Sequence, residues 1–116
     1  MSKKKKKQFR DFESSDYEND FKEPYVAITK SMMLSESWSN LAYSSKIIYM
    51  YMKLWSYGRQ EFSFSYKLAN NIVGSNSTFK KSIEELIKNG FIEIIRISKT
   101  PGIGTRYKFI NKWYKD

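Results

Sequence analysis

Three features of the 116-residue sequence predict an α+β fold in which helices are followed by a β-hairpin. Apolar side chains recur with the helical period in residues 45–57 and 75–89. The run EFSFSY, residues 61–66, alternates phenylalanine with serine, which is typical of a short half-buried strand. Two isoleucine- and aromatic-rich runs, residues 91–98 and 106–111, flank a loop that contains proline and glycine and therefore predict a hairpin.

The chain is long enough for one compact domain and too short for two. Residues 1–24 contain a lysine block, Lys3 to Lys7, and then an acidic stretch without a helical or strand period. We expect them to form a disordered tail, and residues 25–116 to form the domain. The tail is interpreted either as a mobile arm that contacts phosphates or as a solubilising terminus. Residues 25–34 are expected to be extended or irregular, and Ser35 is expected to cap a short helical turn that directs Trp38 and Leu41 inward.

The first long helix is expected to follow Ser44 or Ser45 and to end at Gly58. Its period predicts a buried stripe of apolar residues and an opposite face that is exposed. The predicted buried stripe is Ile47, Met50, Tyr51, Leu54 and Trp55, with Ile48 beside it, and the predicted exposed face is Lys46, Tyr49, Lys53 and Ser56.

Two further helices are expected, one over residues 66–73 that stops at Gly74 and one from Ser75 or Ser77 to Asn89 that is closed by Gly90. Ala69 is small enough to let another helix approach. The last helix is predicted to bury Phe79, Ile83, Leu86 and Ile87 and to expose Ser77, Lys81, Glu84 and Lys88, with Thr78 and Glu85 at the boundary.

The net charge of +9 is concentrated in the domain. Residues 1–24 carry seven Lys and Arg against six Asp and Glu, whereas residues 25–116 carry 14 against six. A basic domain favours a polyanionic partner, and nucleic acid is preferred to a membrane surface because no strongly basic amphipathic helix is present. The alternative is that the lysine-rich composition only reflects an AT-rich genome.

Enzymatic chemistry finds little support in the residue types. Cys and His are absent, so disulfides, thiolate or imidazole metal ligands, Cys nucleophiles and the usual general base are excluded. Glu84 and Glu85 diverge on a helix, and the glycine loop lacks the GK[ST] of a phosphate-binding loop. We therefore expect a non-enzymatic protein without cofactor. The absence of a secretory signal and of a transmembrane segment predicts a soluble cytoplasmic protein with no membrane partner.

The order of elements, with two helices joined by a tight turn and followed at once by a hairpin, is that of a winged helix-turn-helix domain: three main helices, a short strand and a C-terminal hairpin wing. The sequence from ITKSMMLSESWSNL through SNSTFKKSIEELIKNGFIEI to GTRYKFINKWYK resembles small winged helix-turn-helix proteins of Gram-positive plasmids, conjugative elements and phages. The resemblance covers roughly residues 25–115. It implies a DNA-binding module in origin binding for conjugative transfer or replication, with a relaxase or replication proteins as partners, or in transcription control.

The predicted contacts with double-stranded DNA lie in three places. The start of the last helix offers small polar side chains and lysines that can approach bases or phosphates. The hairpin loop offers two glycines that permit close approach, flanked by cations, and its recognition role is expected to equal that of the helix. Tyr66 and Lys67 begin the preceding helix. The residues are Ser75, Asn76, Ser77, Thr78, Lys80 and Lys81 on the helix, and Lys99, Thr100, Gly102, Gly104, Thr105 and Arg106 on the hairpin.

Each assignment has a simpler alternative. Ser75 to Thr78 can serve as helix caps alone, the loop can be a plain turn, and the strand aromatics are expected to pack in the core rather than to stack on single-stranded bases. For the whole protein the alternative function is a winged-helix module that binds an acidic protein. Homodimerisation stays open, with the first 34 residues and the C-terminal KWYKD as candidate dimer segments.

Overall fold

In the part of the chain that the structure describes, five helices combine with one three-stranded antiparallel sheet. The computed structural model describes residues 24–98 and 104–114. In chain order the elements are α1 Lys30–Met33, α2 Glu36–Ser39, α3 Tyr43–Ser56, β1 Glu61–Phe64, α4 Tyr66–Val73, α5 Asn76–Lys88, β2 Ile92–Arg96 and β3 Thr105–Phe109. Strand β3 lies between β1 and β2 and pairs with both in antiparallel register. The prediction of an α+β fold is confirmed, and the order of elements is compatible with a winged-helix-like arrangement.

The segment before α3 is more helical than expected. Residues 30–33 form α1, whose N-cap Thr29 accepts a hydrogen bond from the Met32 amide at 3.2 Å. The prediction of an extended segment is wrong here because a four-residue helix is too short to display a helical period. Helix α1 is instead stabilised by its N-cap and by one buried side chain, Met32. Ser35 caps α2 as predicted, and Trp38 and Leu41 are buried.

The core is a cluster of aromatic rings between α3 and the sheet. Tyr49 lies edge-to-face against Phe91 and Phe109, with ring centroids 5.3 and 5.6 Å apart. Trp38 packs against Tyr49 and Phe91 at 6.0 and 5.9 Å, and Trp113 stacks on Phe91 at 6.0 Å. Helix α2 and the segment after β3 are thereby fixed to the same rings, so residues at both ends of the described chain belong to one core.

The buried face of α3 lies largely opposite the predicted one, although Ile48 is buried beside the predicted stripe as expected and Tyr51 packs against the core. The helix buries Ser45, Ile48, Tyr49, Met52, Lys53 and Ser56, whereas Ile47 and Trp55 are exposed. Both faces of α3 carry apolar side chains, so the helical period alone does not choose between them. The choice follows from the aromatic cluster, because Tyr49 provides the ring that contacts Trp38, Phe91 and Phe109. Lys53 follows Tyr49 inward, with its Nζ 5.2 Å from the centre of the Phe109 ring.

The remaining helices follow the predicted pattern. Helix α4 begins and ends as expected, with Gly74 as C-cap and Ala69 fully buried. Helix α5 buries Phe79, Ile83 and Leu86, while Ile87 is half-buried against the core. In the sheet, Phe62, Phe64, Tyr107 and Phe109 all face the helices and are buried, which confirms core packing of the strand aromatics.

Two expectations fall partly or wholly outside this description. The tail and its boundary at residue 24 concern residues 1–23, which lie outside the described residues, as does the hairpin loop from 99 to 103. Within residues 24–98 and 104–114, none of the helices combines the length and the apolar character needed to cross a bilayer.

Candidate nucleic-acid interface

The start of α5 is held by a network of hydroxyl groups. The Ser75 Oγ accepts a hydrogen bond from the Thr78 amide at 3.1 Å and donates one to the Thr78 Oγ1 at 2.9 Å. Ser75 is therefore the N-cap, and Thr78, which is half-buried, completes the cap. The alternative reading as a cap is confirmed for Ser75.

The side chains that project from this first part of α5 are polar or cationic. Asn76, Ser77, Lys80 and Lys81 are all exposed. The first turn contains no acidic residue, so no carboxylate there opposes the approach of an anion. We call these four exposed residues the α5 surface. Small neutral side chains at the start of the helix, followed one turn later by two lysines, suit a phosphate backbone and the base edges beside it.

Phe64, the last residue of β1, joins the start of α5 to the base of the hairpin. Its ring stacks on that of Phe79 in the first part of α5, with centroids 6.1 Å apart and planes 22° from parallel. The Phe64 backbone pairs with Thr105 and lies against Gly104. Any residue with a Cβ at position 104 would place that atom 2.4 Å from the Phe64 carbonyl oxygen. The first part of α5 and the beginning of β3 therefore contact the same residue. Gly104 is required by this packing inside the protein.

The base of the hairpin presents two arginines that face each other across β2 and β3, Arg96 and Arg106, and Arg96 is exposed. Thr105 and Arg106 are half-buried, and one Arg106 Nη lies 3.8 Å from a carboxylate oxygen of Glu61. A second Arg106 Nη donates to the Ser63 Oγ at 3.4 Å. Both members of the ion pair are about half exposed, so the pair contributes little to stability and leaves the guanidinium accessible. Three predicted contacts, Lys99, Thr100 and Gly102, lie outside the described residues.

The beginning of α4 divides between packing and exposure. The Tyr66 ring packs edge-to-face on Phe79 at 5.6 Å, so this residue supports the start of α5. Lys67 is exposed.

Burial raises the pKa of Tyr107, on β3, above its usual value, while a hydrogen bond from the Thr105 side chain lowers that pKa by a smaller amount. The Tyr107 hydroxyl therefore stays neutral, and the positive charge of this region comes from lysine and arginine.

Sequence reasoning missed the role of Glu85. The N-cap residue of α3 is Ala42, which has no side chain able to cap the helix. The Oε1 of Glu85 on α5 accepts hydrogen bonds from the Ala42 amide at 2.9 Å and from the Ser45 hydroxyl. Beside it, the hydroxyls of Ser44 and Ser82 form a hydrogen bond at 3.0 Å. Glu85 thus supplies the cap of one helix from another and fixes α5 against α3. The predicted start of α3 after Ser44 or Ser45 is wrong, because both serines lie inside the helix and their hydroxyls bond to α5 instead of capping α3.

Replacing Glu85 with alanine is expected to lower the free energy of unfolding by about 1–2 kcal/mol, because the cap of α3 and its bond to Ser45 are lost together. Glu84→Ala is the matched control, since Glu84 is the adjacent carboxylate and is exposed. Its effect should stay within about 0.5 kcal/mol. Urea unfolding followed by circular dichroism measures both variants. Equal losses from the two would contradict the capping role.

The second half of α5 has balanced charges. An open cleft of about 520 Å³ runs beside it and is lined by Asn40, Lys81, Glu84, Glu85, Lys88 and Asn89. Lys81 lies at the start of this cleft and Lys88 at its end, with Glu84 and Glu85 between them along the helix. An anion therefore gains little from the part of the helix after Lys81. The net attraction for a polyanion is therefore concentrated at the α5 surface and at the base of the hairpin.

Among the described residues no group of three or more acidic side chains is placed to hold a metal ion. Comparisons of the chain with protein-family models, with curated proteins and with solved structures find no match.

Proposed function

We propose that this protein binds double-stranded DNA as a winged helix-turn-helix module, with α5 as the recognition helix and the β2–β3 hairpin as the wing. The observation that carries the proposal is the shared contact with Phe64, which brings the first part of α5 and the beginning of β3 together. A helix start and a hairpin side by side suit a duplex, where the helix enters the major groove and the hairpin follows the adjacent backbone.

Charge supports a nucleic-acid partner. The described residues carry 12 Lys and Arg against five Asp and Glu, a net charge of +7. Lys80 and Lys81 lie one turn after the start of α5, and at that start the positive end of the helix dipole also attracts phosphate. Asn76 and Ser77 precede them and are short enough to approach base edges. Lys and Arg position the protein on the backbone, and the residues at the helix start read the sequence.

Burial of the strand aromatics supports a duplex rather than a single strand. Proteins that bind single strands stack bases on exposed aromatic rings. Here Phe62, Phe64, Tyr107 and Phe109 are each at most 4% exposed, so the sheet provides no such platform from these strands. Duplex DNA, which is bound through its backbone and grooves, requires none.

A titration of the full chain with duplex DNA at two salt concentrations tests the proposal. Binding should weaken steeply as salt rises, because each neutralised phosphate adds about 0.9 to the slope of log affinity against log salt. Unlabelled duplex should compete better than a single strand of the same sequence. Binding that ignores salt, or that a single strand displaces more readily, would reject the proposal. The first of these outcomes would favour the alternative module that recognises an acidic protein.

Arg106→Ala tests the contribution of the wing. We expect the affinity for duplex DNA to fall about fivefold near physiological salt and the salt slope to fall by about 0.9, as for one lost phosphate contact. Glu61→Gln is the control, because it removes the partner of Arg106 and keeps the guanidinium. That variant should bind at least as tightly as the unmodified protein. An unchanged affinity and slope for Arg106→Ala would restrict the interface to α5.

The process served by binding follows from the resemblance alone. We propose origin binding in plasmid transfer or replication, with a relaxase or a replication protein performing the chemistry, and transcription control as the alternative. Selection of bound fragments from the source DNA distinguishes them. Enrichment of a transfer or replication origin supports the first role, and enrichment of promoters supports the second.

A further inference from the structure

Helix α3 presents a second apolar stripe on the side away from the core. Tyr43, Ile47, Met50 and Leu54 are spaced four, three and four residues apart, so they form one line along the helix. Tyr43 is 82% exposed and Ile47 38% exposed, while Met50 and Leu54 are half-buried. We call these four residues the outer stripe. Isolated exposed apolar residues are ordinary, but a continuous line of them marks a contact surface.

A cation, Lys46, borders the N-terminal half of the outer stripe. Helix α3 contains no carboxylate. At its N-terminal end the Lys46 Nζ lies 5.4 Å from the centre of the Tyr43 ring and 5.9 Å from that of Trp38. The stripe therefore suits a segment that combines apolar or aromatic side chains with negative charge.

A second copy of the protein matches this description poorly. Each copy would bring its own net charge of +7 over the described residues, and α3 offers no carboxylate to meet Lys46 of the other copy. Repulsion between two copies of like net charge opposes their association, and only apolar contact along a single short helix would favour it.

The N-terminal segment of the chain itself matches the description well. Residues 9–23 carry six Asp and Glu against two Lys and Arg, a net charge of −4. Aromatic residues recur among them every three to five positions, at Phe9, Phe12, Tyr17 and Phe21. Fifteen residues can span up to about 50 Å. The 14-residue α3 is about 21 Å long. The segment directly precedes Pro24, where the described residues begin, and its maximum span exceeds the length of α3.

We propose that the outer stripe of α3 is the docking site for residues 9–23 of the same chain. Aromatic side chains of the segment cover the stripe, and its carboxylates face Lys46. This proposal departs from the expectation of a tail that is disordered throughout. A segment without structure of its own can become ordered when it binds a matching surface. The stripe lies on a different side of α3 from Ser44 and Ser45, which contact α5, so docking does not depend on the proposed DNA binding.

A nitroxide label provides the test. The chain has no cysteine, so Ser15→Cys creates a single attachment point in the full-length protein. Amide signals of the outer stripe should be lost in the NMR spectrum of the labelled protein and should return when the label is reduced. The loss should not change on dilution. Replacing Phe12, Tyr17 and Phe21 with serine should restore the signals, whereas replacing Lys5 and Lys6 with serine, the matched control, should not.

Three results would overturn the proposal. One is the absence of signal loss along α3. Another is loss at the α5 surface instead, which would indicate that the acidic segment competes for the nucleic-acid interface. The third is loss that passes from labelled chains to unlabelled, isotope-enriched chains mixed with them, which would assign the outer stripe to a second copy. Tyr43→Ser, at the most exposed position of the stripe, should weaken the effect without disturbing the core.

Discussion

Gly90→Ala is expected to lower the free energy of unfolding by about 3 kcal/mol or more. Gly90 ends the turn after α5 with a φ of +85°, a conformation that residues with a Cβ adopt at a cost of about 1–2 kcal/mol. A Cβ there would also stand 2.7 Å from the Lys112 Cβ and 2.8 Å from the Trp113 nitrogen. The backbone of the C-terminal segment would have to move, and the Trp113 amide, which donates to the Gly90 carbonyl at 3.1 Å, would lose its geometry.

Gly74→Ala is the matched control for this prediction. Gly74 has a similar φ of +74°, but a Cβ at this position would meet nothing within 4 Å. Its replacement should therefore cost only the conformational part, about 1–2 kcal/mol. Urea unfolding of both variants measures the difference, which reports the contact between the α5 turn and the Trp113 segment. Equal costs for the two would mean that this contact does not stabilise the fold.

Replacing Lys80 and Lys81 together with alanine is expected to weaken duplex binding roughly 30-fold at physiological salt. Two lost phosphate contacts should also reduce the slope of log affinity against log salt by about 1.8. The physical reason is that both lysines are exposed directly after the first turn of α5, and that turn contains no carboxylate. Fluorescence anisotropy with a labelled duplex at several salt concentrations measures both quantities.

Lys88→Ala separates position from charge in this experiment. Lys88 lies on the same helix and is exposed, but it belongs to the half where glutamates balance the lysines. Its replacement should change the affinity less than threefold, since no phosphate contact is expected there. If Lys88→Ala weakened binding as much as one of the two other lysines, non-specific attraction by the total charge would explain the data better than a site at the start of α5.

Much of the fold could be read from local signals. The bounds of α4, the start of α5 and the strand pattern of β1 follow from caps, glycines and a period-two alternation, each of which acts within a few residues. The stripe of α5 was predictable because its opposite face is polar, at Ser77, Lys81, Glu84 and Lys88, so only one face can be buried.

The candidate site was predictable in part for the same reason. The exposed positions at the start of α5 follow from its period, and the N-cap role of Ser75 follows from its residue type. The partners of Glu85 and Gly104 were not predictable, because each contacts a residue about 40 positions away in the sequence. A glycine or a glutamate has the same local signal whether its neighbour is solvent or another element.

The sequence by itself determined the α+β composition, the order of the elements from α2 onward and the basic, polar character of the helix after Gly74, because these depend on residue type and short-range periodicity. Only the tertiary structure decided which of the two apolar faces of α3 is buried. Burial there is selected by the fit of Tyr49 among Trp38, Phe91 and Phe109, rings that are brought together only when the whole chain has folded. The face left outside is the outer stripe, which no local pattern distinguishes from a core.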